Sequence, residues 1–305
     1  MTVERYAAQV ALLVRMLPEI AEEESFALKG GTAINLFIRD LPRLSVDIDL
    51  TYLPVAERAE SLAGVTSALN RIADRVRART GAEVQQQGAK DGTRLLVRSG
   101  ATAVKIEANP VLRGTVFEPE LRSVRAPVED RFGYAEIQVV SIPDLYAGKI
   151  AAALDRQHPR DLFDILYLLS NEGITDDLFT AFLVYLVSHN RPPHELLAPH
   201  LLDLSAAYHG EFAGMTLEEV SLEQLLGARD TLITEISHRS RQPPARGFLR
   251  SFYSGQPEWT LLGLDTDVAA LPAVRWKLLN LAKLASEQPA KFKDQVTALD
   301  DFLGA

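Results

Sequence analysis

Two aspartates, Asp47 and Asp49, stand one residue apart in "SVDIDLTYL". On a strand such positions project from one face, while Val46, Ile48 and Leu50 point to the other. Two carboxylates held so close repel unless a cation lies between them, and hard oxygen donors suit Mg²⁺. A third carboxylate, Glu107 in "AVKIEAN", shares a strand face with Lys105. If that strand lies beside the aspartates, the three acids can hold two metals, one carrying nucleotide phosphates and one lowering the pKa of an attacking hydroxyl. If it lies elsewhere, Lys105 and Glu107 are an ordinary surface ladder.

Upstream, Gly30 and Gly31 separate an apolar run from a helical one, and Thr32 follows. Glycines there let the backbone approach a ligand, and the helix start offers free N–H groups to a phosphate. An ordinary strand-to-helix turn would read the same way. Downstream, in "DLYAGKIAAALDRQHPRDLFDILYLL", Tyr146, Lys149, Ala153 and Arg156 form one helical stripe. Lys149 lies among Ala147, Gly148, Ala151 and Ala152, which leave space for its ammonium to reach a phosphate. Arg160, Asp161 and Asp164 are expected on the polar side of the next helix, where Arg160 and Asp164 suit an i, i+4 ion pair.

The elements that must position these residues read as mixed α/β in the first half. A helix near 4–22 precedes the strand "SFALKG"; a helix follows Gly31 and stops at Pro42; then come the aspartate strand and a helix over about 56–80. "TRLLVRS" and "TAVKIEAN" read as a hairpin through Gly100, and "YAEIQVVS" as a further strand. Ser141 with Pro143 starts the helix that carries Lys149. After Ser170 the alternation gives way to helical periods at 175–189, 217–236, 245–253 and 271–286. The expectation is α+β: an N-terminal mixed β-sheet with flanking helices over 1–170, then an all-helical domain over 171–305.

The 305 residues contain no cysteine, which excludes disulfides, thiolate metal sites and a cysteine nucleophile. The six histidines lack metal-ligand spacing, and no P-loop, dinucleotide-binding, serine-elbow or zinc-protease motif occurs. No apolar run approaches the roughly 20 residues of a membrane span, so a cytoplasmic location without membrane contact is the expectation. A net charge of −9 argues against a general basic coat for nucleic acid. One window departs from it. Ile236–Pro257 holds no acid but contains Arg239, Arg241, Arg246 and Arg250, interleaved with Phe248, Phe252 and Tyr253, a pattern that fits an RNA backbone.

The order GGT, short helix, S-x-D-x-D, then "KIE" resembles the signature of DNA polymerase β-like nucleotidyltransferases. "DLYAGKIAAALDR…PRDLFDI" and the C-terminal "FLRSFYSGQPEWTLLG" narrow the resemblance to the AbiEii-type toxin family, which includes the MenT-type toxins. That resemblance implies an NTP substrate, Mg²⁺ (or Mn²⁺), an RNA acceptor such as the 3′ end of tRNA, and a cognate antitoxin, with the toxin as a monomer. It also implies roles. Gly30, Gly31 and Thr32 would hold the triphosphate with Ser45 close by, and Asp47, Asp49 and Glu107 would bind metal. Lys149, with Arg156, would contact nucleotide phosphates. Asp161, with Asp164, would form an essential acidic motif, for which the sequence suggests only an anchor for Lys149 or Arg156. The alternatives are a protein or small-molecule hydroxyl as acceptor, and a non-catalytic NTP-binding partner.

Overall fold

The computed structural model describes residues 3–89 and 92–304. Packing divides the chain into two compact units, Met1–Ser141 with Ala213–Glu219, and Ile142–Phe212 with Val220–Ala305.

The first unit contains strands β1 (Phe26–Lys29), β2 (Asp47–Tyr52), β3 (Glu83–Ala89), β4 (Gly92–Ser99), β5 (Thr102–Arg113), β6 (Glu120–Ser123) and β7 (Glu136–Val139). They form one sheet in the order β3-β4-β5-β2-β1-β7-β6. It is mixed: β2 runs parallel to β5, and β1 parallel to β7, while the other neighbours are antiparallel. Alternation along the central strands buries Ile48, Leu50, Leu95, Val97, Val104 and Ile106 on one face. That face is covered by α1 (Val3–Ala21) and α3 (Arg58–Thr80), whose Leu13, Met16, Leu17, Leu69, Ile72 and Val76 are fully buried. Each such side chain contributes roughly 1.5–3 kcal/mol. With the apolar face held this way, the residues at alternate positions must face outward. Asp47, Asp49, Lys105, Glu107 and Arg94 are those residues.

After β1 a short helix α2 (Gly30–Ala33) runs directly into a widened turn at Ile34–Ile38. Asn35 is buried there and donates to the Gly31 carbonyl at 2.8 Å. The sequence reading did not anticipate β3, β6 or the helix α4 (Ala126–Phe132).

The described residues of the second unit contain no strand. Its helices are α5 (Ile142–Arg156), α6 (Pro159–Ser170), α7 (Asp176–Ser188), α8 (Pro193–Leu197), α9 (Ser205–Ala207), α10 (Leu222–Ser240), α11 (Pro243–Tyr253), α12 (Pro272–Glu287) and α13 (Pro289–Leu303). Their starts follow local chemistry: Pro159 opens α6 behind His158, Thr175 caps α7, and Ser221 with Gln224 forms a capping box on α10. The α5–α6 break lies at Gln157, whose φ of 47° is compensated by its amide, which donates to His200 O at 2.7 Å and accepts from Leu202 N at 3.1 Å. The last strand ends at Val139, and α5 and α6 already pack with the helices that follow, α5 against α7 and α6 against α10. The α+β class, a mixed sheet followed by helices, is as expected. No described helix is long and apolar enough to cross a membrane.

Candidate active site

The parallel pairing of β2 with β5 sets Asp49 directly opposite Glu107 and Asp47 opposite Lys105. The expected neighbour relation between the two strands is therefore present. The row extends on both sides, because β1 places Lys29 opposite Asp49 and β4 places Arg94 opposite Glu107. Across four strands one face reads Arg94, Glu107, Asp49, Lys29: two carboxylates between two cations. Arg94 forms an ion pair with Glu107. In the next row the Lys105 ammonium lies 3.5 Å from Asp47 Oδ1 and 3.9 Å from Glu107 Oε1. Asp47 and Glu107 keep side-chain exposures of 38% and 29%, so the row is open to solute. Burial lowers the Lys29 ammonium from the ordinary lysine value, while Asp49 opposite it works to raise it. Carboxylates crowded together are thus partly neutralised by basic residues from three different strands.

The glycine turn is built around this row. Gly30 has a φ of 78°, and a Cβ there would come within 2.7 Å of Asp49 Oδ2. At Gly31 a Cβ would lie 2.6 Å from Nη2 of the buried Arg43 and 3.0 Å from Ser45 Oγ. Both glycines therefore make room for polar side chains of the protein itself. Thr32 is buried; its hydroxyl donates to the Asp47 carbonyl oxygen at 2.5 Å and lies 3.0 Å from Ser45 Oγ. This hydroxyl ties the turn to the start of the aspartate strand. Arg43 is held by its own neighbourhood: Nη1 donates to Leu44 O at 3.0 Å, and residues 42–44 bond to 215–217 through Leu44 N to Met215 O and Leu217 N to Pro42 O.

In the second unit, Lys149, Asp161 and Asp164 are all buried, at 7%, 1% and 1% exposure. Lys149 Nζ lies 3.0 Å from Asp161 Oδ1 and 2.9 Å from Asp164 Oδ2. Asp161 also receives Arg156 through Nε at 2.6 Å and Nη2 at 3.0 Å. Burial alone would raise the Asp161 carboxyl, but Lys149 and Arg156 outweigh it and hold the group well below the usual carboxylate range. The expectation that Asp161 and Asp164 lie on a polar surface is corrected here: α6 turns them inward onto the α5 lysine. Close by, Tyr185 on α7 donates to the buried Asp144 at 3.1 Å, and Gly148 leaves room for the Tyr185 ring.

A family model described as "Nucleotidyl transferase AbiEii toxin, Type IV TA system" matches residues 11–280. The chain belongs to the AbiEii family. It is thus a nucleotidyltransferase toxin of a type IV toxin–antitoxin system. Among solved structures it is similar to MenT4, a nucleotidyltransferase toxin from Mycobacterium tuberculosis H37Rv, with 15% identity and a TM-score of 0.57, over 96% of this chain and 93% of that one. At that identity the likeness speaks for the fold. Compared by sequence with curated proteins, the chain has no match.

Other expected site residues of this AbiEii-family chain lie in different surroundings. Arg239 binds the start of α7, meeting Asp176 Oδ1 at 2.6 Å and stacking over Phe179 with 4.4 Å to the ring centre. Arg241 donates to Phe302 O at 2.8 Å, and Arg250 donates to Asp300 Oδ1 at 2.9 Å and Gly304 O at 2.6 Å. Arg246 is half-buried. Phe248, Phe252 and Tyr253 are buried, so the expected stacking platform for bases is absent from this window. Arg239, Arg241 and Arg250 clamp helix ends. Conversely, sequence reasoning missed Lys29, Arg43 and Arg94, which surround the acidic row. Lys29 alone left a local trace, as a cation closing an apolar strand just before the paired glycines.

Proposed function

We propose that this toxin transfers a nucleoside monophosphate from an NTP to an RNA acceptor, the 3′ end of tRNA, at the face carrying Asp47, Asp49 and Glu107. The observation that carries the reading is the β2–β5 register, which brings acids separated by some sixty positions onto adjoining positions of one strand face. Their donor chemistry fits a hard divalent cation, Mg²⁺ or Mn²⁺. The Lys105 ammonium lies within 4 Å of both Asp47 and Glu107, a placement that supports the reading of this face as one that attracts cations. Among the described residues no three acids or histidines are arranged to hold a metal ion as they stand. Asp47, Asp49 and Glu107 would hold it by turning from their basic partners. A bound divalent ion would supply charge neutralisation at the phosphates and a more acidic attacking hydroxyl.

In the reaction the acceptor hydroxyl gives its proton to solvent as its oxygen bonds to the α-phosphorus, the bond to the bridging oxygen breaks, and pyrophosphate leaves. Gly30 lets Asp49 sit against the turn, and Thr32 fixes the start of β2, so the backbone that carries these acids is set before any ligand arrives. Lys149 and Arg156 are proposed to face phosphate negative charge, with Asp161 orienting both. Arg156, 63% exposed at its side chain, is the more accessible of the two. The tRNA acceptor, a cytoplasmic site of action and a monomeric state rest on the family resemblance.

The test is label transfer: purified protein and its Asp47→Ala variant receive Mg²⁺, total bacterial tRNA and each α-labelled NTP in turn. Label in tRNA with wild type alone supports the reading. Label on polypeptide or small molecules moves the acceptor, and NTP binding without any transfer returns the chain to a binding role.

A further inference from the structure

The three carboxylates do not share their basic neighbours equally. Arg94 pairs with Glu107 from β4, and Lys29 faces Asp49 from β1 on the opposite side. Lys105 contacts two of the acids at once, Asp47 at 3.5 Å and Glu107 at 3.9 Å, from a position on β5 directly across from Asp47. Its side chain is 41% exposed, so it is an ammonium on a flexible stem at the rim of the row, with open space to move into. A structural ion pair would need neither the double contact nor that freedom.

We propose that Lys105 is a place-holder for the divalent cation. It neutralises Asp47 and Glu107 before loading and yields them when the ion arrives together with the nucleotide. This rests on the reading of the acidic row as a metal site. The physical consequence is a coupling. Without nucleotide, a bare divalent ion must displace or tolerate the ammonium, which opposes binding. With nucleotide bound, the triphosphate adds negative charge that satisfies ion and ammonium together, and the opposition fades. Ion and nucleotide then bind with positive cooperativity, by the same factor whichever is added first. The toxin would take up its metal with substrate rather than hold it idle.

At water-like screening, a unit charge about 5 Å from a divalent ion changes its affinity roughly tenfold. Lys105→Met is therefore expected to bind bare Mn²⁺ about tenfold more tightly than wild type, read by calorimetry or by the spin-resonance signal of free Mn²⁺. With a non-hydrolysable NTP analogue present, the two affinities should agree within about threefold, so the cooperativity falls. Lys105→Arg keeps the charge and should behave as wild type, which a purely steric effect of the methionine would not produce. A Lys105→Met protein that is folded but binds bare Mn²⁺ no more tightly than wild type overturns the place-holder while leaving the metal site standing. Lys105→Gln gives the same reading should the methionine variant fail to fold. Failure of every form to bind Mn²⁺, even with the analogue, overturns the metal site and the place-holder with it.

Discussion

Two clusters of opposite charges differ in this molecule by where they put them. On the sheet, Asp47 and Glu107 are about a third exposed and meet their cations at the rim, one of them at 3.5–3.9 Å. Among the helices, Lys149, Asp161 and Asp164 are almost wholly buried and meet at 2.9–3.0 Å. In the first cluster, water screens the pairs that Lys105 makes, so an ion pair there is worth little and is easily exchanged for another cation. In the second, desolvation makes every charge dependent on the others, and removing one leaves the rest buried without compensation. The comparison suggests a division of labour: an exchangeable charge row for chemistry, and a locked one for position.

Substitution in each cluster should separate activity from stability, and the largest effect belongs to the sheet. Asp47→Ala or Asp49→Ala should reduce nucleotide transfer by at least ~10³-fold, about 4 kcal/mol of transition-state stabilisation. Their unfolding free energies, by urea titration, should change by less than about 1 kcal/mol, because the side chains are not core. A large loss of stability with little loss of transfer would remove the distinction.

The helical cluster should respond in the reverse sense. Asp161→Ala is expected to cost about 3 kcal/mol of folding stability by urea titration, since it removes one of the two carboxylates that face the buried Lys149 ammonium. The effect has a pH signature. A carboxyl depressed in the folded state contributes stability above its ordinary value near 3.8 and loses it as pH falls through the lower folded value. The stability difference between wild type and Asp161→Asn should therefore be fully present at pH 6 and shrink progressively below pH 4. A difference that stays constant into acid would mean that Asp161 is not held by charge.

Between these extremes lies the turn that joins backbone to carboxylate. Gly30→Ala adds a Cβ at a positive φ and within 2.7 Å of Asp49 Oδ2. The expected cost is roughly 1–2 kcal/mol in stability, from the strained backbone and the displaced acid. Transfer should fall more than stability does, because the atom that must shift is one of the proposed ligands. Equal losses in both would mark the glycine as a turn residue only.

How far the sequence discloses these clusters depends on the range over which each contact acts. The period-two alternation of Asp47 with Asp49 and of Lys105 with Glu107 is local, so the faces were legible. The β2–β5 pairing joins segments far apart, and only the resemblance suggested it. Strand β3 escaped because "EVQQQGA" has little apolar alternation; as the edge strand it needs only one paired side. On α6, Asp161 and Asp164 look like a polar face in sequence, yet Leu162, Phe163 and Ile165 flank them and α5 packs there with its buried Lys149. Buried acids matched to a buried lysine read like surface residues unless the partner helix is known.

The arginine window makes the same point at the smallest scale. Read along the chain, four arginines without an acid form a basic patch. In space the acids come from elsewhere: Asp176 answers Arg239 and Asp300 answers Arg250, with the Phe302 carbonyl taken by Arg241. Arg250→Ala should accordingly cost about 1 kcal/mol of stability, the worth of a charge-assisted contact at a helix end. Its effect on tRNA affinity, by filter binding at two salt concentrations, should be nil, and the salt dependence unchanged, because a guanidinium holding α13 is not neutralising a phosphate. A loss of affinity with a shallower salt slope would instead show that the clamp opens, and that the linear reading of the window was the better one.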